Sequence, residues 1–259
     1  MTVNNTPKND TGYAPERWEF DEEVTRVFGN MIERSIPEYQ AMRTAVKAVL
    51  KNYYGSGDRR FIVNYGVSQI RHVDLGCSHG QTIEDLLSVV PMKQYDEIIG
   101  IEVSDAMFNT ASHIMKNFYS DTEGTIEIMK HDLRQGMPEL AGYCTSTSVL
   151  TLMFIPIEHR YRLMQEVYNQ MAEGGMFVMV EKVLGDSYRV DDLLVDCYYD
   201  IKRDNGYSQD DIDRKRLSLE GVLVPLTSQH NQDMLKGVGF KDVDCFWRHL
   251  NFAGWVAFK

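Results

Sequence analysis

The chain has 259 residues, enough to bury the core of one α/β domain but short for two full catalytic domains. Its formal net charge of −11 argues against direct binding to nucleic acid, because affinity for phosphate comes mainly from clustered Lys and Arg. No apolar run approaches the ~20 residues needed to cross a bilayer. We therefore expect no membrane partner and a small-molecule substrate.

Residues 1–17 are polar and lack the apolar stretch of a secretory signal, which predicts a flexible N-terminal tail on a cytoplasmic protein. The rest of the chain, 18–259, is expected to form a single domain. The four cysteines are widely separated, without a CxxC pair or a His at metal-ligand spacing. This pattern favours thiols in a reducing compartment and predicts no metal centre.

Two helices are expected before the first strand. Residues 22–33 carry apolar side chains at helical spacing, and Pro37 starts a second helix that runs to about Tyr53. Together they define a helical cap over residues 18–54. The polar, glycine-bearing segment that follows predicts a loop.

From His72 onward, strands and helices alternate. The expected strands are 73–75, 97–101, 125–129, 148–154 and 176–181, with helices such as 81–90 between them. This alternation predicts a mostly parallel sheet covered on both sides. After a helix near 230–236, the segments 241–248 and 251–258 predict an antiparallel hairpin. A seven-stranded sheet with that ending is typical of the Rossmann-like class I methyltransferase fold.

The segment from His72 to Gly80 (HVDLGCSHG) has the order of a strand, a tight turn and a helix start. Gly76 would let the backbone approach a ligand, although Ser78 stands where the dinucleotide fingerprint has a second glycine. Glu102, at the end of the second strand, could hold two ribose hydroxyls, and Asp132, after the third, could meet an adenine amino group. The alternative is that these acids are turn formers and a solvated strand end. The combination favours a nucleotide-type ligand.

Four blocks of sequence carry a resemblance to one known family. They are 18–39, which begins WEFDE and ends PEY; 74–78 (DLGCS); 200–208 (DIKRDNGYS) followed by 215–216 (KR); and 251–252 (NF). These blocks resemble the carboxy-S-adenosylmethionine synthases, which convert S-adenosylmethionine and prephenate to carboxy-S-adenosylmethionine and phenylpyruvate for the modification of tRNA wobble uridine. The resemblance extends from Trp18 to the C-terminus and implies a transferase of the class I S-adenosylmethionine-binding fold.

The resemblance also implies a set of ligand contacts and a homodimer. S-adenosylmethionine or carboxy-S-adenosylmethionine would be bound by Tyr39, Asp74, Gly76, Cys77, Ser78, Glu102, Val103, Asp132, Leu133 and Thr151. Arg203, within a helical insertion at 187–225, would bind the new carboxylate, and Tyr207 would contact the same ligand or prephenate. Whether Arg203 serves its own chain or a neighbour's stays open.

An independent physical reason supports a role for Arg203. A planar guanidinium can bind a carboxylate at two points, and plain S-adenosylmethionine has no such extra carboxylate to offer. The alternative is an exposed basic pair, Lys202 and Arg203, on an acidic surface. Residues 208–211 are expected to cap the following helix.

Three features depart from the family pattern. Residues 55–69 form an excess segment, Glu102 stands where the family commonly has Asp, and the family's Asn after the fourth strand is replaced by Thr151 or Val149. Methyl transfer to a small molecule or another non-nucleobase acceptor therefore remains an alternative, as does a non-catalytic ligand-binding subunit. Nucleobase methylation is disfavoured because no Asn-Pro-Pro-Tyr motif follows the fourth strand.

Overall fold

The computed structural model describes residues 17–55, 71–92, 96–121, 123–140 and 142–259. The expected tail, apart from Arg17, and the excess segment, apart from Gly55, lie outside the described residues. None of the helices in these ranges is long and apolar enough to cross a membrane.

Helices and strands alternate along most of the described chain. The helices are α1 (Glu22–Ser35), α2 (Tyr39–Gly55), α3 (Gln81–Leu87), α4 (Asp105–Phe118), α5 (Ile157–Gln170), α6 (Tyr188–Asp204), α7 (Gln209–Ser218) and α8 (Ser228–Gly237). The strands are β1 (Arg71–Leu75), β2 (Glu97–Glu102), β3 (Thr125–Lys130), β4 (Tyr143–Val149), β5 (Met171–Leu184), β6 (Leu226–Thr227), β7 (Asp242–His249) and β8 (Phe252–Phe258). Short 3₁₀ helices follow β3 and β4, at Leu133–Gln135 and Leu152–Phe154.

The sheet has the order β3-β2-β1-β4-β5-β8-β7, and the two-residue strand β6 pairs with β5. Strands β1 to β5 run parallel to one another, whereas β8 is antiparallel to both β5 and β7. The predicted α/β class, with a mostly parallel sheet and antiparallel C-terminal strands, is confirmed. Because β1, β2 and β4 are parallel neighbours, the loops at their carboxyl ends meet at one edge of the sheet.

Helices cover both faces of the sheet. Strand β5 shows why, since its buried side chains alternate between two apolar clusters. Val178 and Val180 pack with α1 to α4, and Phe177 and Met179 pack with α5 and α8. A strand that is apolar on both faces can be buried only in the middle of such a sandwich.

The strand predicted at 148–154 is wrong. Strand β4 ends at Val149, and the chain turns at Leu150, whose φ is +58°. The Glu181 carboxylate then fixes the turn, because it accepts the amide hydrogens of Leu152 and Met153 at 2.9 and 2.6 Å. The true strand escaped prediction because its centre, residues 144–148, is polar in sequence and yet fully buried.

Residues 187–225 contain α6 and α7. As expected, Ser208 and Asp211 cap the second of these helices, and they do so as a capping box. Gly206, two residues before that cap, is in the left-handed region with φ of +85°.

Candidate ligand-binding and active site

A cavity of about 810 Å³ opens at the carboxyl ends of β1, β2 and β4. Its walls come from the loops that follow these strands, from α1 and the segment before it, and from α6 and α7. The volume lies within the ~300–1,000 Å³ range of small-molecule sites. Nine residues predicted to bind the ligand line it, namely Tyr39, Gly76, Cys77, Ser78, Glu102, Val103, Asp132, Leu133 and Thr151.

The ligand loop, residues 76–78, leaves β1 in a tight turn. Gly76 and Ser78 both have positive φ, of +68° and +53°. The Cys77 amide donates to the carbonyl oxygen of Ile101 at 2.9 Å, which fastens the loop to β2, and the Cys77 side chain is buried. The loop therefore presents backbone to the cavity in a fixed conformation.

Thr151 packs directly against Gly76. A Cβ atom added at Gly76 would lie 2.4 Å from Thr151 Cγ2 and 2.5 Å from its hydroxyl oxygen. The structure thus places Thr151, and not an Asn, between the end of β4 and the ligand loop. Glycine is required at position 76 by the neighbouring side chain as well as by φ.

The carboxylate of Glu102 joins three backbone segments at the cavity wall. Its Oε2 accepts from the Ser78 amide at 2.9 Å, and its Oε1 accepts from the Val103 and Ser104 amides at 2.8 Å each. Burial raises the pKa of Glu102, and the three amide bonds oppose that rise. The side chain is held rigidly, while Val103 is exposed at the cavity rim.

The Asp132 carboxylate is paired with Arg134, a residue that the sequence did not single out. Its Oδ1 accepts from the Arg134 amide at 2.9 Å, and the Arg134 guanidinium pairs with Oδ2 at 2.8 Å. The hydrogen bonds from Arg134 lower the pKa of Asp132. Both residues line the cavity beside the buried Leu133.

Asp74 lies behind the ligand loop in a buried polar network. Its Oδ1 accepts from the Thr147 hydroxyl at 2.7 Å, and His72 links Thr147 to Thr145, at 3.1 and 2.7 Å. Tyr54 of α2 hydrogen-bonds Thr145 at the far end. These bonds explain why the polar residues of β4 can be buried.

The carboxylate of Asp74 is only partly satisfied. Its Oδ2 is buried and has no hydrogen-bond partner among the described residues. Burial raises the pKa of Asp74 to about 7, and the nearby charge of Glu102 adds to the rise. Two buried carboxylates close to a backbone cradle, one of them with an unpartnered oxygen, fit a ligand that carries positive charge.

Arg203 and Tyr207 do not line this cavity. The Arg203 guanidinium is partly exposed, pairs with Asp200 and donates to Gln209 Oε1 at 3.2 Å. Tyr207 is buried, with its hydroxyl 3.1 Å from the Ser35 hydroxyl. The insertion instead reaches the cavity with Tyr198 of α6, Lys215 of α7, and Leu219, Val222 and Leu223 after α7.

Sequence reasoning missed several cavity residues. Lys182, at the end of β5, and Arg43 of α2 line the cavity, although no local motif marks them. Phe20 packs edge-on against Phe28 and Phe154, with ring centroids 6.3 and 5.1 Å away. These aromatic rings make the wall of the cavity that faces α1 apolar.

Curated relatives match the chain over nearly its full length. A carboxy-S-adenosyl-L-methionine synthase of Nautilia profundicola is 33% identical over 94% of this chain and 95% of its own. The protein of the same name from Nitratiruptor sp. is 36% identical, with 94% of each chain covered. No protein-family model matches the chain.

Solved structures resemble the fold at low sequence identity. A putative S-adenosyl-L-methionine-dependent methyltransferase from Methanococcus maripaludis superposes with a TM-score of 0.55 at 16% identity and covers 96% of this chain and 97% of its own. The mitomycin 7-O-methyltransferase MmcR gives a TM-score of 0.57 at 11% identity, covering 92% and 57%. These likenesses establish a shared Rossmann-like fold.

The contact between Gly76 and Thr151 generates a stability prediction with a matched control. Gly221 has nearly the same φ, +70°, but no atom within 4 Å of an added Cβ. Gly221→Ala should therefore cost only the left-handed conformation, roughly 1–2 kcal/mol. Gly76→Ala should cost more, because its methyl group also overlaps Thr151.

Urea denaturation of the two variants measures the difference. In a double-mutant cycle, Thr151→Ala should recover part of the loss in Gly76→Ala, since Cγ2 and the hydroxyl are then gone. Equal losses in the two glycine variants, or no recovery, would contradict the packing described for the ligand loop.

Proposed function

Because the chain belongs to the carboxy-S-adenosyl-L-methionine synthase family, we propose that it converts S-adenosylmethionine and prephenate to carboxy-S-adenosylmethionine and phenylpyruvate. The observation that carries this proposal is that one cavity is lined by all the groups that two substrates would need. Its wall contains the backbone of the ligand loop, the Glu102 carboxylate, the aromatic rings of Phe20, Phe28 and Phe154, and the ammonium groups of Lys182 and Lys215. Both substrates could therefore be held in contact.

The residues around the ligand loop fit S-adenosylmethionine. Glu102 would accept a hydrogen bond from a ribose hydroxyl through Oε2, which accepts only the Ser78 amide and therefore retains a lone pair. Asp132 and Leu133 would hold the adenine, while Tyr39, whose hydroxyl donates to Gln81 Oε1 at 2.8 Å, would border the methionine portion. The uncompensated charge of Asp74 favours the ligand's ammonium and sulfonium groups.

S-adenosylmethionine supplies a methyl group made acidic by the adjacent sulfonium. Prephenate would lose its ring carboxylate as CO₂ and its hydroxyl as hydroxide, which leaves phenylpyruvate. The hydroxide takes the methyl proton to form water, and the methyl carbon takes up the CO₂. The protein's part is to hold the two molecules together in a cavity with apolar walls and fixed charges, where proximity and electrostatics are strongest.

In this proposal, Arg203 acts in the active site of a neighbouring chain. Its guanidinium lies outside the cavity of its own chain, 45% exposed, which supports service to a neighbouring chain in a homodimer. There it would pair with the carboxylate of carboxy-S-adenosylmethionine, and Tyr207 would help to hold the segment in place. We further propose that the protein acts in the cytoplasm and supplies its product for tRNA modification.

Methyl transfer to a small non-nucleobase acceptor is the alternative function. The observation that favours it is Thr151, which occupies the position next to the ligand loop where the family's Asn was expected. An in-line methyl transfer needs proximity and little else from the protein.

Asp74 provides a prediction about pH. Its pKa is about 7 without ligand, and a bound cation stabilises its charged form and so lowers that pKa. Binding of S-adenosylmethionine should then release a proton below pH 7, and affinity should rise with pH from about 5 to 7 and level off above. Calorimetry in buffers of different ionisation enthalpy measures the proton directly.

Asp74→Asn should abolish this proton release. Glu181→Gln is the control, because burial raises the pKa of Glu181 to about 8 while its carboxylate accepts from the Leu152 and Met153 amides and does not itself line the cavity. If the parent protein releases no proton when S-adenosylmethionine binds, the ligand does not change the pKa of Asp74.

The proposed reaction is tested by turnover. We expect the purified protein, given S-adenosylmethionine and prephenate, to yield phenylpyruvate and a nucleoside heavier than S-adenosylmethionine by one CO₂, as seen by mass spectrometry. S-adenosylhomocysteine together with a methylated acceptor would favour the alternative. Failure to consume S-adenosylmethionine with any acceptor would support a non-catalytic subunit.

Arg203 should discriminate between the two nucleosides. Arg203→Ala should weaken the binding of carboxy-S-adenosylmethionine by about 2–4 kcal/mol and the binding of S-adenosylmethionine far less. Only the carboxylated nucleoside carries the extra carboxylate, which the substitution would leave unpaired. Arg214→Ala is the matched control, because Arg214 pairs with an acid three residues earlier, as Arg203 does. Equal weakening of both nucleosides, or of neither, in calorimetric titrations would remove Arg203 from the carboxylate site.

A further inference from the structure

Two lysines line the cavity of this acidic chain, and each lies close to an aromatic ring. They are Lys182, next to Tyr198, and Lys215, next to Trp18. Lys215 Nζ donates to the Ser35 hydroxyl at 3.3 Å and lies 5.1 Å from the Trp18 ring. Lys182 Nζ lies 4.8 Å from the centroid of the Tyr198 ring. A contact with the face of an aromatic ring favours the charged ammonium group but does not use its N–H donors for conventional hydrogen bonds.

Lys182 differs from the two arginines on the cavity wall. Arg43 pairs with Asp85, and Arg134 pairs with Asp132. Across the described part of the chain, by contrast, no carboxylate lies within ion-pair distance of Lys182 Nζ. Asp191 attracts it electrostatically, but the Asp191 carboxylate is engaged by the Gly185 amide at 2.7 Å. The Lys182 ammonium is thus available to an anion.

The protein makes this charge costly unless an anion is present. Burial lowers the pKa of Lys182, which means that the surroundings penalise its charged form. Tyr198, Phe252 and the aliphatic side chains of the segment after α7 (Leu219, Val222 and Leu223) exclude water from part of the wall. A carboxylate bound to Nζ would stabilise the charged form of Lys182 and accept hydrogen bonds from its ammonium group.

We propose that Lys182 determines specificity for the second substrate, by binding through Nζ the carboxylate that this substrate keeps. The proposal rests on the function argued above and adds a residue to it. The ligand class is an organic acid with a six-membered ring, because Phe20, Phe28 and Phe154 provide an aromatic wall in the same cavity. Lys182 is a binding residue for the intact acid.

The chemistry of the reaction says which carboxylate Lys182 binds. A carboxylate that leaves as CO₂ loses its charge in the reaction, so an ammonium held against it would stabilise the starting state and slow the step. The carboxylate of the pyruvyl side chain keeps its charge throughout. An ammonium can bind that group in substrate and product alike, and so orient the ring without opposing decarboxylation.

A binding experiment tests this without needing turnover. The protein is saturated with S-adenosylhomocysteine and titrated with phenylpyruvate and with its neutral methyl ester, using calorimetry. Lys182→Met keeps the length and apolar stem of the side chain, Lys182→Arg keeps its charge, and Lys241→Met is the control at an exposed site outside the cavity. The affinity for S-adenosylhomocysteine is measured for each variant.

We expect the parent protein to bind the acid and not the ester. Lys182→Met should lower the affinity for phenylpyruvate by about tenfold or more, which is the effect of losing one charged hydrogen bond. The same substitution should raise the KM for prephenate. Lys182→Arg should keep most of the affinity, and Lys241→Met all of it. The affinity for S-adenosylhomocysteine should stay within about twofold in every variant.

Three outcomes would overturn the assignment. They are equal binding of the acid and the ester, an unchanged phenylpyruvate affinity in Lys182→Met, and a loss of phenylpyruvate affinity in Lys182→Met that is matched by the loss for S-adenosylhomocysteine. If prephenate is turned over and its KM does not change in Lys182→Met, the assignment fails while the proposed function stands. If aryl acids bind through Lys182 but prephenate is not turned over, the assignment holds and the proposed function fails.

Discussion

The carboxylate of Glu102 is the contact on which the ligand site depends. By accepting amide hydrogens from Ser78, Val103 and Ser104, it ties the loop after β1 to the turn after β2. The Cys77 amide adds a second link, to the carbonyl oxygen of Ile101 at 2.9 Å. These bonds hold the loop in the conformation in which Gly76 and Ser78 have positive φ and Thr151 packs against Gly76.

The cavity and its immediate surroundings carry charges of both signs. Asp74 and Glu102 put negative charge next to the ligand loop, where burial raises the pKa of each. Lys182 and Lys215 put positive charge on the cavity wall. A positively charged nucleoside would favour the charged form of Asp74, and an anionic second substrate would favour the charged form of Lys182.

The ligand loop could be predicted because its signal is local. A glycine turn between a strand and a helix, with acids at the ends of the next two strands, is contained in contiguous segments of sequence. The same holds for the cap formed by Ser208 and Asp211, which needs only four residues. The parallel sheet followed from the alternation of segments along the chain.

Features that depend on distant partners could not be predicted in this way. Residues 144–148 are polar, and only the cross-strand contacts of Thr145 and Thr147 with His72 explain their burial in β4. Lys182 carries no motif, and its neighbour Tyr198 belongs to a separate helix. Arg203 stood out in its sequence segment, yet its guanidinium lies outside the cavity of its own chain.

The proposed carboxyl transfer is tested most directly by following one carbon atom. Prephenate labelled with ¹³C in its ring carboxylate would be incubated with the protein and S-adenosylmethionine, and the nucleoside product analysed by mass spectrometry and NMR. We expect the label to appear in the new carboxylate of carboxy-S-adenosylmethionine and the second product, phenylpyruvate, to be unlabelled. An unlabelled carboxylated product, or a methylated acceptor with the label still in prephenate, would contradict it.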